Sequence, residues 1–204
     1  MNYKLYKNDF PSTLKFKKMV AIDTETMGLN LNRDRLCLVQ ICIGDDVAHL
    51  VQLSKNLKVK PLNLMKLLQN KNITKIFHYG RFDLAMLHKN ICPVIGQIYC
   101  TKIASKLSRT FGAKHGLKDL CKDLLSIELD KFNQTSDWGA KKLSKDQLTY
   151  AAQDVLFLHK LKLKLDEILL REGKMNLALE CFESLKTRVK LDLEGFQELD
   201  IFAH

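Results

Sequence analysis

The stretch Met19-Val20-Ala21-Ile22-Asp23-Thr24-Glu25-Thr26-Met27-Gly28-Leu29 decides how the chain reads. Its apolar run, residues 19–22, ends in two carboxylates one residue apart and is bounded by Gly28. Such a run predicts a buried strand. Side chains alternate along a strand, so Asp23 and Glu25 point to the same face. Two like charges at the end of a buried strand repel each other. A divalent cation gives a reason to build that, because hard cations such as Mg²⁺ take oxygen ligands. The D-x-E pattern alone is short, and a solvated strand end carrying two acids stays open as the alternative.

The 204 residues suit one domain, residues 1–204, with a sizeable core. Composition is that of a globular protein, at 46% apolar and 27% charged, which excludes a disordered chain. The net charge of +10 and pI near 9.3 favour a polyanionic partner, nucleic acid foremost. Lysines coating solvated helix faces account for part of that charge. The six cysteines form no C-x-x-C pair and no zinc spacing with histidine, and are expected to be reduced and buried. No signal peptide and no membrane-length apolar stretch is present, so a cytoplasmic protein with no membrane partner is expected.

Residues 1–18 read as a polar, basic lead-in. Residues 36–43 and 47–53 read as two further strands around the turn Gly44-Asp45-Asp46, giving an antiparallel start. From Pro61 the period becomes helical. A fourth strand is expected over 74–79, a helix follows Gly80, and a fifth short strand over 94–99. The prediction is an α/β chain: a mixed five-stranded sheet flanked by helices. Helices are expected over 101–111 and 117–125, and a polar loop over 133–139. Ser144-Lys145-Asp146-Gln147 has the form of a capping box, starting a helix to about Arg171. A last helix is expected over 175–191.

Three more residues join the acids. Asp83 stands at the first turn of a helix directly after a strand, where a carboxylate also simply complements the helix dipole. Tyr150 and Asp154, four apart in Tyr150-Ala151-Ala152-Gln153-Asp154, share one helix face, and two alanines between them permit close approach. A core tyrosine beside a solvated aspartate is the plain alternative for that pair.

Taken in order, D-x-E, Asp83 and the Y-x-x-x-D pair resemble the motifs of the DEDDy family of 3′–5′ exonucleases, which have a ribonuclease H-like fold. The resemblance spans about residues 15–172, leaving a C-terminal helix and tail over 173–204. Residues 36–41, 77–87 and Ser136-Asp137-Trp138 with Leu143-Ser144 resemble motifs of the ribonuclease D group. The short chain resembles most the nanoRNase C type within it, because ribonuclease D proteins carry further helical domains. The resemblance implies that Asp23, Glu25, Asp83 and Asp154 hold two Mg²⁺ or Mn²⁺ ions. Hydrolysis of a phosphodiester needs a nucleophilic hydroxide, neutralised phosphoryl charge and a stabilised leaving oxygen, all of which two metals supply. Tyr150 then orients or helps deprotonate the attacking water. A tyrosine pKa near 10 favours orientation.

The implied substrates are short oligoribonucleotides, above all 5′-phosphorylated dinucleotides, and the implied assembly is a homo-oligomer, a ring-like octamer in that group. Thr24, Leu29, Leu31, His78, Tyr79, Arg81, Lys114 and His115 are the candidate substrate contacts. Leu29 and Leu31 read equally as base wedges or core residues. Lys102, Lys106, Arg109 and Lys118 extend the basic run, while His49, His88 and His159 read as structural. The apolar residues of 195–202 suit an interface or packing on their own domain. General 3′-end RNA processing and a DNA-directed exonuclease remain alternatives. A non-catalytic nucleic-acid scaffold would be expected to lack one of the acids, and all four are present.

Overall fold

The computed structural model describes residues 1–55, 59–111, 114–129 and 136–203. Residues 133–135 of the expected loop over 133–139 and part of the turn between the 101–111 and 117–125 helices therefore lie outside the described residues. Chain order gives β1 (Asn2–Lys7), β2 (Met19–Thr26), β3 (Leu36–Cys42), β4 (Val47–Gln52), α1 (Leu62–Gln69), β5 (Thr74–Phe77), α2 (Arg81–Asn90) and β6 (Ile98–Cys100). The helices α3 (Thr101–Ser108), α4 (Leu117–Leu125), α5 (Lys145–Leu156), α6 (Leu158–Arg171) and α7 (Met175–Leu193) follow.

The strands form one sheet in the order β1-β4-β3-β2-β5-β6. β2, β3 and β4 run antiparallel as the short turns require, and β5 and β6 add in parallel beside β2. Among the described residues this is the expected mixed sheet flanked by helices, with six strands rather than five. The extra strand is β1, within the segment expected to be a lead-in. Its sequence NYKLYK is mostly exposed, and it pairs in parallel with β4 from Asn2↔Val47 to Lys7↔Gln52. Tyr6 anchors it, its hydroxyl 3.1 Å from His49 Nδ1 and its ring stacked on the imidazole. An edge strand needs only one half-buried side, so its polarity hides it from a search for apolar runs.

β2 is central, and β3 beside it is buried throughout. That places the D-x-E stretch in the middle of the sheet, with the apolar residues 20–22 fully buried before the acids begin. Helix α5 lies across β2, β3 and β4, its Ala151 and Ala152 completely buried. The expected long helix over 145–171 is two helices. The chain turns at Phe157, so α5 stays on the sheet while α6 packs against α3, α4 and α7. All six cysteines are free, and all but Cys181 are buried. Among the described residues no helix is long and apolar enough to cross a membrane.

Candidate active site

Asp23 and Glu25 emerge on one face of β2, and α5 brings Asp154 to them. Carboxylate oxygens of the three lie within 4.8 Å of one another. Asp83 joins from the first turn of α2, buried at 6% exposure, and the Thr24 hydroxyl donates to its Oδ1 at 2.5 Å. Asp83 falls outside the tight three-carboxylate group, yet its charge raises the pKa of each of the other three.

These four acids share a property that solvated acids lack. Burial is the largest influence on each and favours the neutral form. Burial, and then the Asp83, Asp154 and Glu25 charges, push Asp23 well above the ordinary carboxylate range. Glu25 is pushed up to about 9 by burial and then by Asp154 and Asp83. Asp83 and Asp154 are both pushed up to about 7, chiefly by burial. Among the described residues no Lys, Arg or His forms an ion pair with any of them. A cluster of desolvated, uncompensated oxygens fits divalent cations: a hard cation removes the repulsion, and carboxylate oxygens are its preferred ligands.

Two polar groups orient the acids. Gln40 stands opposite Asp23 on β3, fully buried, and its Nε2 lies 3.4 Å from Asp23 Oδ2. Gln40 was missed from the sequence, although a lone glutamine inside an apolar strand is itself a signal. The bulge between Glu25 and Thr26 ends the regular pairing just past the second acid. Tyr150 shares the α5 face with Asp154 and lies against the buried Trp138 ring, centroids 6.2 Å apart. Burial, then the Asp154, Glu25 and Asp23 charges, raise its pKa, so the phenol stays protonated at neutral pH. The capping box of α5 is present, with Ser144 Oγ accepting from Gln147 N at 3.1 Å and Gln147 Oε1 accepting from Ser144 N at 2.9 Å. The same Gln147 side chain donates to Asp137 O at 3.2 Å and so ties the Trp138 loop to the helix.

The turn from β5 into α2 carries the other candidates. Tyr79 takes φ = +63°, a left-handed conformation that costs a non-glycine residue on the order of 1–3 kcal/mol. A Cβ on the next residue, Gly80, would sit 2.6 Å from Phe77 Cβ, so glycine is required for close approach. The result is a Tyr79 ring 55% exposed, with Lys102 Nζ 3.8 Å from its centroid. His78 Nδ1 lies 2.9 Å from Thr101 Oγ1, and burial, assisted by Lys102, pushes its pKa down to about 3. It is a neutral imidazole here.

Of the two leucines, Leu29 is 82% exposed and Leu31 is buried at 5%, so only Leu29 projects freely. Both line a cleft of about 410 Å³ together with Tyr79, Phe82, Asp192, Gln197 and Glu198. Arg81 also lines the cleft, but its guanidinium forms a two-point pair with Asp192, both contacts at 2.7 Å. Lys114 is exposed, and His115 Nδ1 lies 2.8 Å from Ser105 Oγ. Arg109 of the basic run pairs with Asp123 at 2.5 Å and Lys114 O at 3.2 Å, a clasp between α3 and α4. His49 and His159 are structural as expected, bonded to Tyr6 and to Met19 O.

Comparison with known proteins bears on this arrangement. Residues 7–170 match the 3′–5′ exonuclease family. The chain is similar to NrnC of Brucella melitensis, solved bound to pGG, with 50% identity, a TM-score of 0.95 and coverage of 100% of this chain and 99% of that one. The same protein solved with bound Mg²⁺ gives 49% identity and a TM-score of 0.94, covering 100% of both chains. Ribonuclease D of Gluconacetobacter diazotrophicus is 32% identical over 163 residues, 80% of this chain. The chain spans about two fifths (41%) of that relative's length. With the motif order, the sheet and the buried acids in agreement with these matches, the chain belongs to the 3′–5′ exonuclease family, in its ribonuclease D-like branch.

Proposed function

We propose that this exonuclease hydrolyses short oligoribonucleotides from the 3′ end, with 5′-phosphorylated dinucleotides as its preferred substrates. The observation that carries the reading is the uncompensated acid cluster, together with a small cleft lined by Leu29, Tyr79 and Phe82, the last next to Asp83 in the chain. The NrnC relative bound to pGG, matched over the whole chain, supports it.

Asp23, Glu25, Asp83 and Asp154 would hold two divalent ions, Mg²⁺ or Mn²⁺, in line with the Mg²⁺ seen in that relative. When bound, the ions neutralise phosphoryl charge and make a water molecule nucleophilic at neutral pH. The chain's own residues do the rest. Gln40 fixes Asp23, and Thr24 fixes Asp83. Tyr150, held protonated, aligns the attacking water through its hydroxyl. The exposed rings and side chains of Tyr79 and Leu29 offer flat apolar surface to bases. His78, Lys114 and His115 remain candidates for the phosphate end.

The six free cysteines support a reducing, cytoplasmic setting. Exposed Phe111 and Phe202 support assembly of like chains, which light scattering would report.

The test is product analysis and kcat/KM on 5′-labelled RNAs of two to about twenty nucleotides, with and without the 5′-phosphate, at fixed salt. A dinucleotide maximum is expected, and loss of the 5′-phosphate should cost more than about tenfold. A rate that climbs with length and ignores the 5′ end would favour general RNA 3′-end processing. Equal rates on the matching DNA series would favour a DNA-directed enzyme.

A further inference from the structure

Helix α7 ends at Leu193, and Gly195 at φ = +95° turns the chain back toward α2. What holds the returning tail is one carboxylate and two guanidiniums. Asp192, 3% exposed, receives Arg81 through Nε and Nη2, both at 2.7 Å. Arg188, one helical turn earlier, reaches the same carboxylate from Nε at 3.0 Å and Nη2 at 2.7 Å. Both arginines then donate to tail backbone. Arg81 takes Gln197 O at 2.8 Å. Arg188 takes the carbonyl of Phe196, and those of Leu199 at 3.1 Å and Gln197 at 3.4 Å. Three carbonyls of a segment with no regular structure, residues 196–199, are therefore held by side chains from two helices.

The fixed segment lines the cleft that Leu29, Tyr79 and Phe82 also line. Leu29 follows the acids of β2, Tyr79 precedes α2 and Phe82 lies in its first turn next to Asp83, and Gln197 and Glu198 of the tail complete the lining. The cleft is open to solvent and, at about 410 Å³, has the size of a small-ligand site. Its wall carries a carboxylate, Glu198, that repels any further phosphate.

We propose that Arg188 is a positioning residue for substrate length: by pinning residues 196–199 it holds Glu198 where a third nucleotide would have to pass. This rests on the dinucleotide reading above. Arg188 does not itself line the cleft but holds Asp192 and Gln197, which do, so its effect is on which substrates fit.

The experiment compares Arg188→Ala, Arg188→Lys and Glu198→Lys with the wild type in the full-length protein. Each is assayed for kcat and KM on a 5′-phosphorylated dinucleotide, a pentanucleotide and the p-nitrophenyl ester of thymidine 5′-monophosphate. A wild type without dinucleotide preference would defeat the earlier reading and not the clamp itself. Given that preference, Arg188→Ala should reduce the dinucleotide-to-pentanucleotide ratio of kcat/KM by about tenfold or more, the scale of a charge-assisted contact. Most of the change should appear in KM, the small ester should be turned over as before, and Arg188→Lys should restore part of the ratio. An unchanged ratio in a folded Arg188→Ala protein would overturn the proposal. Should Arg188→Ala fail to fold, Glu198→Lys decides. It should raise pentanucleotide kcat/KM, and no change there would overturn the proposal equally.

Discussion

Asp83 and Asp192 are buried to nearly the same degree, at 6% and 3% exposure, and their surroundings treat them in opposite ways. Burial pushes both toward the neutral acid. At Asp192 the hydrogen bonds from Arg81 and Arg188 outweigh it, and the carboxyl lies below its usual range. At Asp83 the Thr24 hydroxyl and the backbone hydrogen bonds of Asp83 and Thr24 do not outweigh it, and the carboxyl is pushed up to about 7. Among the described residues Asp83 stands with three more acids and no ion-paired cation, whereas Asp192 is held by two guanidiniums. A buried carboxylate with its partners supplied in the chain is structure. A group of them without partners is a site awaiting a cation from solution, and this contrast separates the two roles without reference to any motif.

The largest effects should come from breaking the acid side of that contrast. Asp23→Asn or Asp154→Asn should reduce turnover below detection, and EDTA should do the same to the wild type, with Mg²⁺ or Mn²⁺ restoring it. At alkaline pH, where the raised carboxyls ionise, the same substitutions should raise the melting temperature in EDTA, since each removes one like charge, by about 2–4 °C for each ~1 kcal/mol relieved. A variant that lost activity and also melted lower in chelator would remove the repulsion from the account. Next in size is Tyr150→Phe, which keeps the packing on Trp138 and should slow the chemical step by roughly 10²–10⁴ with little change in KM. Single-turnover kinetics would show whether the hydroxyl matters, and an unaltered rate would leave Tyr150 as packing alone.

Smaller effects belong to the compensated side. Arg188→Ala should cost about 1.5–3 kcal/mol of stability in urea unfolding, the worth of a hydrogen bond to a charged group, since Asp192 keeps Arg81. Lys75 tests the same logic with the opposite charge. It is fully buried, its Nζ donates to Asn70 O and Ile95 O at 2.5 Å each, and burial pushes its pKa down to about 8. Between about pH 8 and its ordinary value of 10.5 the unfolded chain holds a proton that the folded chain has released. Stability attributable to Lys75 therefore rises with pH in that window. Lys75→Met should flatten the rise by about 1–2 kcal/mol over its measurable part. Parallel stability curves for the two proteins above pH 8 would contradict this.

The parts of the site that sequence discloses are those encoded within a few residues. Asp23 and Glu25 share a face because strands alternate, Tyr150 and Asp154 because helices repeat, and Ser144 with Gln147 because a capping box is local. What stays hidden is non-local or leaves no mark in composition. β1 is polar and pairs across about forty residues with β4. The break at Phe157 has neither Gly nor Pro beside it. The Arg81–Asp192 pair spans 111 positions, so Arg81 reads from sequence as a free cation beside Asp83. Leu29 and Leu31 are alike in sequence, and only the loop's path exposes one and buries the other.

The edges of the sheet have a consequence for how this chain meets its own copies. One edge, β1, is short and studded with the exposed Lys4 and Lys7, and the other, β6, is three residues long. Lysines along an edge and strands too short to template a neighbour both discourage backbone-to-backbone addition of another molecule. The fully buried, aggregation-prone strand β3 is thus kept two places from one margin and three from the other. Association between copies is steered away from strand pairing and left to side chains on the helices, loops and tail.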